Sequence, residues 1–206
     1  SVIRSDGTMD IQSGATFTIN GAGDHRLTNG TILNNYSTCN WDTGAIQIFN
    51  STFLNNYGTL NINSDDDFRA LDFDAFVNNM PGGIIVKNGN GETSTGTGSF
   101  DDVVFNNYGR VIVSSGSFTI NTPYSIAGNI GVHSGYYEIQ SGATLAGNEE
   151  MHFTGDTIIN DGTIALNNLI FDGLNRQYLG GSTMGRITNL YMYNANGLRM
   201  GSDQTI

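Results

Sequence analysis

The 206-residue chain reads as an all-β protein, a single-stranded right-handed parallel β-helix (solenoid) with about eight coils. Three observations predict it. Apolar and polar residues alternate over short runs, the period-two signature of strands. Ser-Gly, Asn-Gly and Asp-Gly turns separate these runs. The turn phrases then recur in nearly the same words at coil-like intervals, which a sandwich of hairpins has no reason to produce.

Taken in order, "TMDIQSGATFTIN" (8–20) alternates on both sides of Ser13-Gly14. The phrase Asn34-Asn35-Tyr36 follows, then "FLNNYGTLNI" (53–62) and "FVNNM" (76–80), then "FNNYGRVIV" (105–113). The Asn-Asn pairs begin at 34, 55, 78 and 106, so they lie 21, 23 and 28 residues apart. The longest interval contains "KNGNGETSTGTGS" (87–99), a polar, Gly-rich insertion expected to loop out. "YYEIQSGATLAG" (136–147) repeats the "IQSGAT" of 11–16, and "DGTIALNNLIF" (161–171) supplies a further strand. Only "SDDDFRALDFDAF" (64–76) admits a helical turn, with Ser64 as its cap.

In a parallel β-helix each strand pairs with its counterpart one coil later, about 4.8 Å away. Inward Val, Ile, Leu and Phe stack on like residues. Asn at a repeated corner stacks on Asn, and the Gly after it is expected to supply a positive φ. Residues 1–206 should form one β-helix domain, cut from a longer protein because the pattern opens and closes mid-phrase. An end coil exposes apolar edge, so a cap or a neighbouring segment of the same long chain is expected to cover it.

Composition narrows the function. The net charge is −11, and the eight Lys and Arg form no run. Nucleic acid and anionic membrane surfaces are thereby disfavoured. Apolar runs are too short for a transmembrane helix, so no membrane insertion is expected. The single Cys39 permits no internal disulfide and is best read as a buried small apolar residue.

Candidate chemistry is sparse. Asp65, Asp66, Asp67, Asp72, Asp74 and the pair Asp101-Asp102 are the acidic candidates. Such carboxylates could hold calcium, Asp65, Asp66 and Asp67 foremost, or act as acid and base on a glycosidic bond. Against that, they read most simply as a solvated acidic loop, with Arg69 pairing within it. His25, His133 and His152 lack metal-ligand spacing. Tyr36, Tyr57 and Tyr108 should fall in register on neighbouring coils, and such a ladder can stack on sugar rings or merely cover a corner. Trp41, Tyr136, Tyr137, Tyr191 and Tyr193 join the aromatic set. An ice-binding array is disfavoured, because the Thr-x-Thr triplets, "TFT" (16–18), "TST" (93–95) and "TGT" (95–97), form no regular array.

The closing stretch "LGGSTMGRITNLYMYNANGLRMGSDQTI" (179–206) resembles a repeat of very large surface adhesins of Bacteroidota. The likeness rests on Asn189, Leu190, Met192, Asn194, Gly197, Leu198, Met200, Ser202, Asp203, Thr205 and Ile206. "TGAIQIFNSTFLNN" (43–56) is more weakly similar to polymorphic outer-membrane protein repeats. The resemblance implies a secreted or cell-surface β-helix, often type IX secretion cargo, that is structural or adhesive and contacts surface polysaccharide or secretion-system components. The sorting domain that such cargo carries is not in this sequence. The alternative is a β-helical polysaccharide lyase or glycoside hydrolase using the acidic residues of 65–74 and 101–102.

Overall fold

A computed structural model describes residues 2–4, 7–49, 51–71, 75–96, 103–121, 131–183 and 185–201. Among them there is no helix, and every strand pairing is parallel. The chain is a β-solenoid of about eight turns whose coils each visit three faces.

The first coil is β1 (Val2–Arg4), β2 (Thr8–Ile11) and β3 (Thr16–Ile19). The second is β4 (His25–Thr28), β5 (Ile32–Asn35) and β6 (Thr38–Trp41), and the third β7 (Ile46–Ile48), β8 (Phe53–Asn56) and β9 (Thr59–Ile62). The fourth is β10 (Phe68–Ala70), β11 (Phe76–Asn79) and β12 (Ile84–Lys87), and the fifth β13 (Glu92–Ser94), β14 (Val104–Asn107) and β15 (Arg110–Val113). The sixth has β16 (Ser117–Thr119) and β17 (Tyr136–Ile139), with His133 bridging the second face between them. In the later coils the first two faces merge into long strands. β18 (Thr144–Phe153) and β20 (Thr163–Phe171) each cover both, followed by β19 (Thr157–Asn160) and β21 (Gln177–Gly180) on the third face. β22 (Arg186–Met192) and β23 (Leu198–Met200) make the last coil. The third face is the spine, a nine-stranded sheet running without a break from β3 to β23. At about 4.8 Å per coil it is a rod roughly 40 Å long.

Strand alternation sorts the side chains. Leu33, Leu54, Val77 and Phe105 form one buried column, and Cys39, Leu60, Ile85, Val111, Tyr137, Ile158 and Leu179 another. Trp41 belongs inside as well, fully buried, with its indole N–H donated to the Gly44 carbonyl at 2.7 Å. Burying each such side chain contributes about 1.5–3 kcal/mol. The Cys39 thiol lies in the same interior, and burial pushes its pKa up to about 12.

Three local expectations are corrected. Ser64 does not cap a helix: its hydroxyl accepts from the Asp66 N–H at 3.0 Å, and the chain enters strand β10. Residues 87–99 do not loop out as a whole. Lys87 closes β12, and β13 pairs with β16, because Thr93 and Ser94 are buried with satisfied hydroxyls. Residues 97–99 lie outside the described part. Finally, Gly58 and Gly109 are absent from the positive-φ positions. They are glycine because a Cβ would lie 2.1 Å from the Ser37 carbonyl oxygen at Gly58, and 2.2 Å from that of Gly83 at Gly109. Positive φ is instead the property of the "IQSGAT" turns, at Gly14 (86°) and Gly142 (83°).

Candidate functional site

The repeated Asn-Asn-Tyr phrase places its three side chains in three environments. The second Asn points inward. Asn35, Asn56, Asn79 and Asn107 form a buried row in which each amide donates to the next coil, at 2.8, 2.9 and 2.8 Å. Each Nδ2 also donates to a backbone carbonyl of a later coil: Thr59, Ile84, Arg110 and Tyr136 in turn. Buried amides are tolerated only when satisfied, and register makes them so. At the sixth coil His133 takes the position, its Nδ1 2.7 Å from the Tyr137 hydroxyl. Burial, with a smaller contribution from His152, lowers the His133 pKa to about 4.

The first Asn points outward. Asn55 donates to Asn34 at 2.9 Å, Asn78 to Asn55 at 2.8 Å, and Asn106 to Asn78 at 2.8 Å, while Asn34 donates to Asp10 at 2.9 Å. The two rows therefore run in opposite directions, outer toward earlier coils and inner toward later ones. An amide offers two donors and two acceptor lone pairs. Asn55 and Asn78, half-buried and satisfied along the row, each still have one of each to present outward, whereas Asn34 and Asn106 are buried and Asn106 Oδ1 accepts from the Val132 N–H.

Aromatic side chains flank the outer row. At the corner, Tyr36 and Tyr57 are exposed and stacked, with ring centroids 4.8 Å apart and planes 18° apart. Met80 holds this position in the fourth coil, so Tyr108, also exposed, is not brought against the other two. On the other side Phe53 and Phe76 stack at 4.9 Å and 7°, half-buried, with Ile32 before them. They precede the outer Asn by two residues, about 7 Å along the strand. The result is a strip with an apolar column, an amide row and a tyrosine corner. The tyrosines are legible as candidates in the sequence; Phe53, Phe76 and the outer amides stand out only in the structure. The signal was the Phe two residues before Asn-Asn in both "FLNN" and "FVNN".

The acidic residues are engaged by the protein itself. Asp65 accepts from Lys87 Nζ at 2.9 Å and from the Gly91 N–H at 2.8 Å. Asp66 accepts from the Gly44 N–H and the Ser64 hydroxyl, and Asp67 from the N–H and hydroxyl of Ser94. Calcium takes six to eight oxygens around one point. Among the described residues no group of three His, Cys, Asp or Glu is placed to hold a metal. Asp65, Asp67 and Glu92 do line a polar cleft of about 480 Å³. Asp72, Asp74, Asp101 and Asp102 lie outside the described residues.

Lys87 is fully buried in the inward column between Ile62 and Val113, and its charge is met by Asp65 and the Ser64 carbonyl. For Asp65, partial burial alone would raise the pKa. The hydrogen bonds from Lys87 and Gly91, and the ammonium charge, outweigh it and bring the pKa below the ordinary value. A depressed carboxylate stabilises the fold fully above the unfolded pKa of about 3.9, and that contribution is lost as pH falls through the lower folded value. Urea midpoints measured from pH 6 downward should therefore drop below about pH 4. In Asp65→Asn the midpoint should start lower, because Lys87 loses its charge partner, and fall less over that window. An unchanged acid limb in the variant would contradict this assignment.

The remaining singled-out residues have structural partners. His25 Nε2 lies 2.9 Å from the Thr43 carbonyl oxygen. His152 Nδ1 lies 2.7 Å from Asp172, and its Nε2 3.4 Å from Glu150. Tyr191 and Tyr193 are exposed and stack on each other in the last coil, and Tyr136 lies beneath Arg110. No family model matches the chain, and neither does any curated protein or solved structure.

Proposed function

We propose that the chain is a non-enzymatic β-solenoid segment of an extracellular, cell-surface protein of the adhesin type, and that its second face contacts carbohydrate. One observation carries this reading. Across coils two to five the outer row is an amide at every repeat, and in the second to fourth coils paired aromatic rings stand on either side of it. Stacked Tyr36 and Tyr57 and stacked Phe53 and Phe76 offer ring faces. The amide row between them offers alternating donors and acceptors, the pairing that hydroxyl-rich chains require. The strip carries no charge along its middle, so it suits a neutral polysaccharide. The likeness of 179–206 to adhesin repeats supports the extracellular setting and type IX export.

Affinity electrophoresis against soluble neutral polysaccharides tests the reading. The wild-type chain should be retarded by at least one, and Tyr36→Ala/Tyr57→Ala should migrate freely while remaining folded. Retardation unchanged in the variant would remove the site. The polar cleft lined by Asp65, Asp67 and Glu92 supports a second reading, cleavage of an acidic or neutral polymer. Release of new reducing or unsaturated ends by the purified chain would move the function to that cleft.

A further inference from the structure

A notch of about 360 Å³ is cut into the corner between the second and third faces, at coils five to seven. Tyr108, Gly109, Ser134, Gly135, Tyr136 and Asp156 line it. The residues explain why a hollow forms there. Glycine passes over glycine at this corner: a Cβ at Gly135 would lie 2.1 Å from the Gly109 carbonyl oxygen, so the floor stays bare. The corner column that holds Tyr108 continues in the sixth coil with the small Ser134. Tyr108, exposed, therefore stands as one wall. Tyr136 stands as the other, with the Arg110 guanidinium 5.1 Å from its ring centre and Arg110 in turn paired with Glu138.

Asp156 supplies the one charge at the notch that the protein does not use. Asp65, Asp67, Glu92, Glu138 and Asp161 each accept from protein donors. Among the described residues none bonds to the carboxylate of Asp156, which is exposed. A carboxylate only accepts, and its two oxygens can take two neighbouring hydroxyl donors at once. A tyrosine face beside it suits the apolar side of a sugar ring. The notch also lies in line with the stacked tyrosines. Tyr57, Met80 and Tyr108 hold the same corner position in successive coils, so Tyr108 is two coils, roughly 10 Å, from Tyr57. A polymer lying along the corner from Tyr36 and Tyr57 crosses Met80 and reaches the notch.

We propose that this notch is a second sugar subsite, which takes one ring of the same neutral polysaccharide against Tyr108 while Asp156 accepts from two adjacent ring hydroxyls. The polymer then runs parallel to the solenoid axis. The proposal rests on the reading of the second face as a carbohydrate-contacting surface, and it adds a site that the face alone does not contain. Two sites joined by one ligand raise the local concentration of the second ring at its subsite, so affinity should climb steeply once a fragment is long enough to span both.

Affinity electrophoresis in dextran, galactomannan and xyloglucan tests it, followed by calorimetric titration with fragments of increasing length from whichever polymer retards the chain. Tyr108→Ala and Asp156→Ala alter exposed side chains and should keep the β-sheet circular dichroism spectrum. Each should weaken binding of the full polymer by about tenfold and abolish the steep rise with fragment length. If Tyr36→Ala/Tyr57→Ala migrates freely while both notch variants bind like the wild type, the subsite falls and the tyrosine strip stands. If the notch variants weaken binding and Tyr36→Ala/Tyr57→Ala does not, the strip falls and the notch alone binds. A wild-type chain retarded by none of the three polymers overturns both.

Discussion

Replacing Asn79 by alanine is expected to destabilise the protein by about 2–4 kcal/mol. The Asn79 side chain is fully buried and joins three coils. Its Oδ1 accepts from Asn56, and its Nδ2 donates to Asn107 Oδ1 at 2.8 Å and to the Arg110 carbonyl at 3.1 Å. Removing it weakens the hydrogen bonding of three buried groups at once and leaves a void the size of the amide. Asn79→Asp should be worse than alanine, because a carboxylate has no N–H to give to Asn107 or Arg110. The neighbouring Asn78→Ala removes the same functional group at a half-buried position of the outer row, where water can replace it, and should cost about 1 kcal/mol or less. Urea unfolding of the three variants checks the order. Equal losses at 78 and 79 would mean that the inner row does not hold the coils together.

Gly109→Ala should cost about 3 kcal/mol or more. The cause is contact rather than backbone strain. The new Cβ would lie 2.2 Å from the Gly83 carbonyl oxygen and 2.6 Å from that of Met80, and neither backbone can withdraw without separating the fourth and fifth coils. Gly142→Ala is the control. There φ is +83° and no atom lies within 4 Å of the added Cβ, so the cost is the left-handed conformation alone, about 1–2 kcal/mol. Thermal melts of the pair should place Gly109→Ala well below Gly142→Ala. The reverse order would restore positive φ as the reason for the corner glycine.

These two comparisons also show what the residues announced and what they hid. The solenoid was legible because its register is written twice, as alternation within strands and as repeated Asn-Asn phrases between them. The inward Asn row was foreseeable for the same reason. The glycine's role was misread, since sequence shows a small residue at a turn but not which backbone passes beside it. Residues 92–94 looked like loop because Glu, Thr and Ser are polar, yet the Thr93 and Ser94 hydroxyls donate to a carbonyl and a carboxylate one coil away, and the Glu92 carboxylate accepts from the Thr119 hydroxyl. Lys87 is a similar case: a charge in an apolar column becomes intelligible only once Asp65 is seen to reach it. The tyrosine ladder was half right, because in-register wording put Tyr36 on Tyr57 while a single departure, Met80, parted them from Tyr108.

The division of labour within the phrase, inner amide for cohesion and outer face for recognition, is the claim on which the functional reading depends. Side-chain amide NMR tests it directly. Titrating the labelled chain with the soluble neutral polysaccharide that retards it should shift the side-chain amides of Asn55 and Asn78, while those of Asn56 and Asn79 hold their positions. Shifts confined to residues around Asp65 and Glu92, with Asn55 and Asn78 unmoved, would contradict it and place recognition in the acidic cleft.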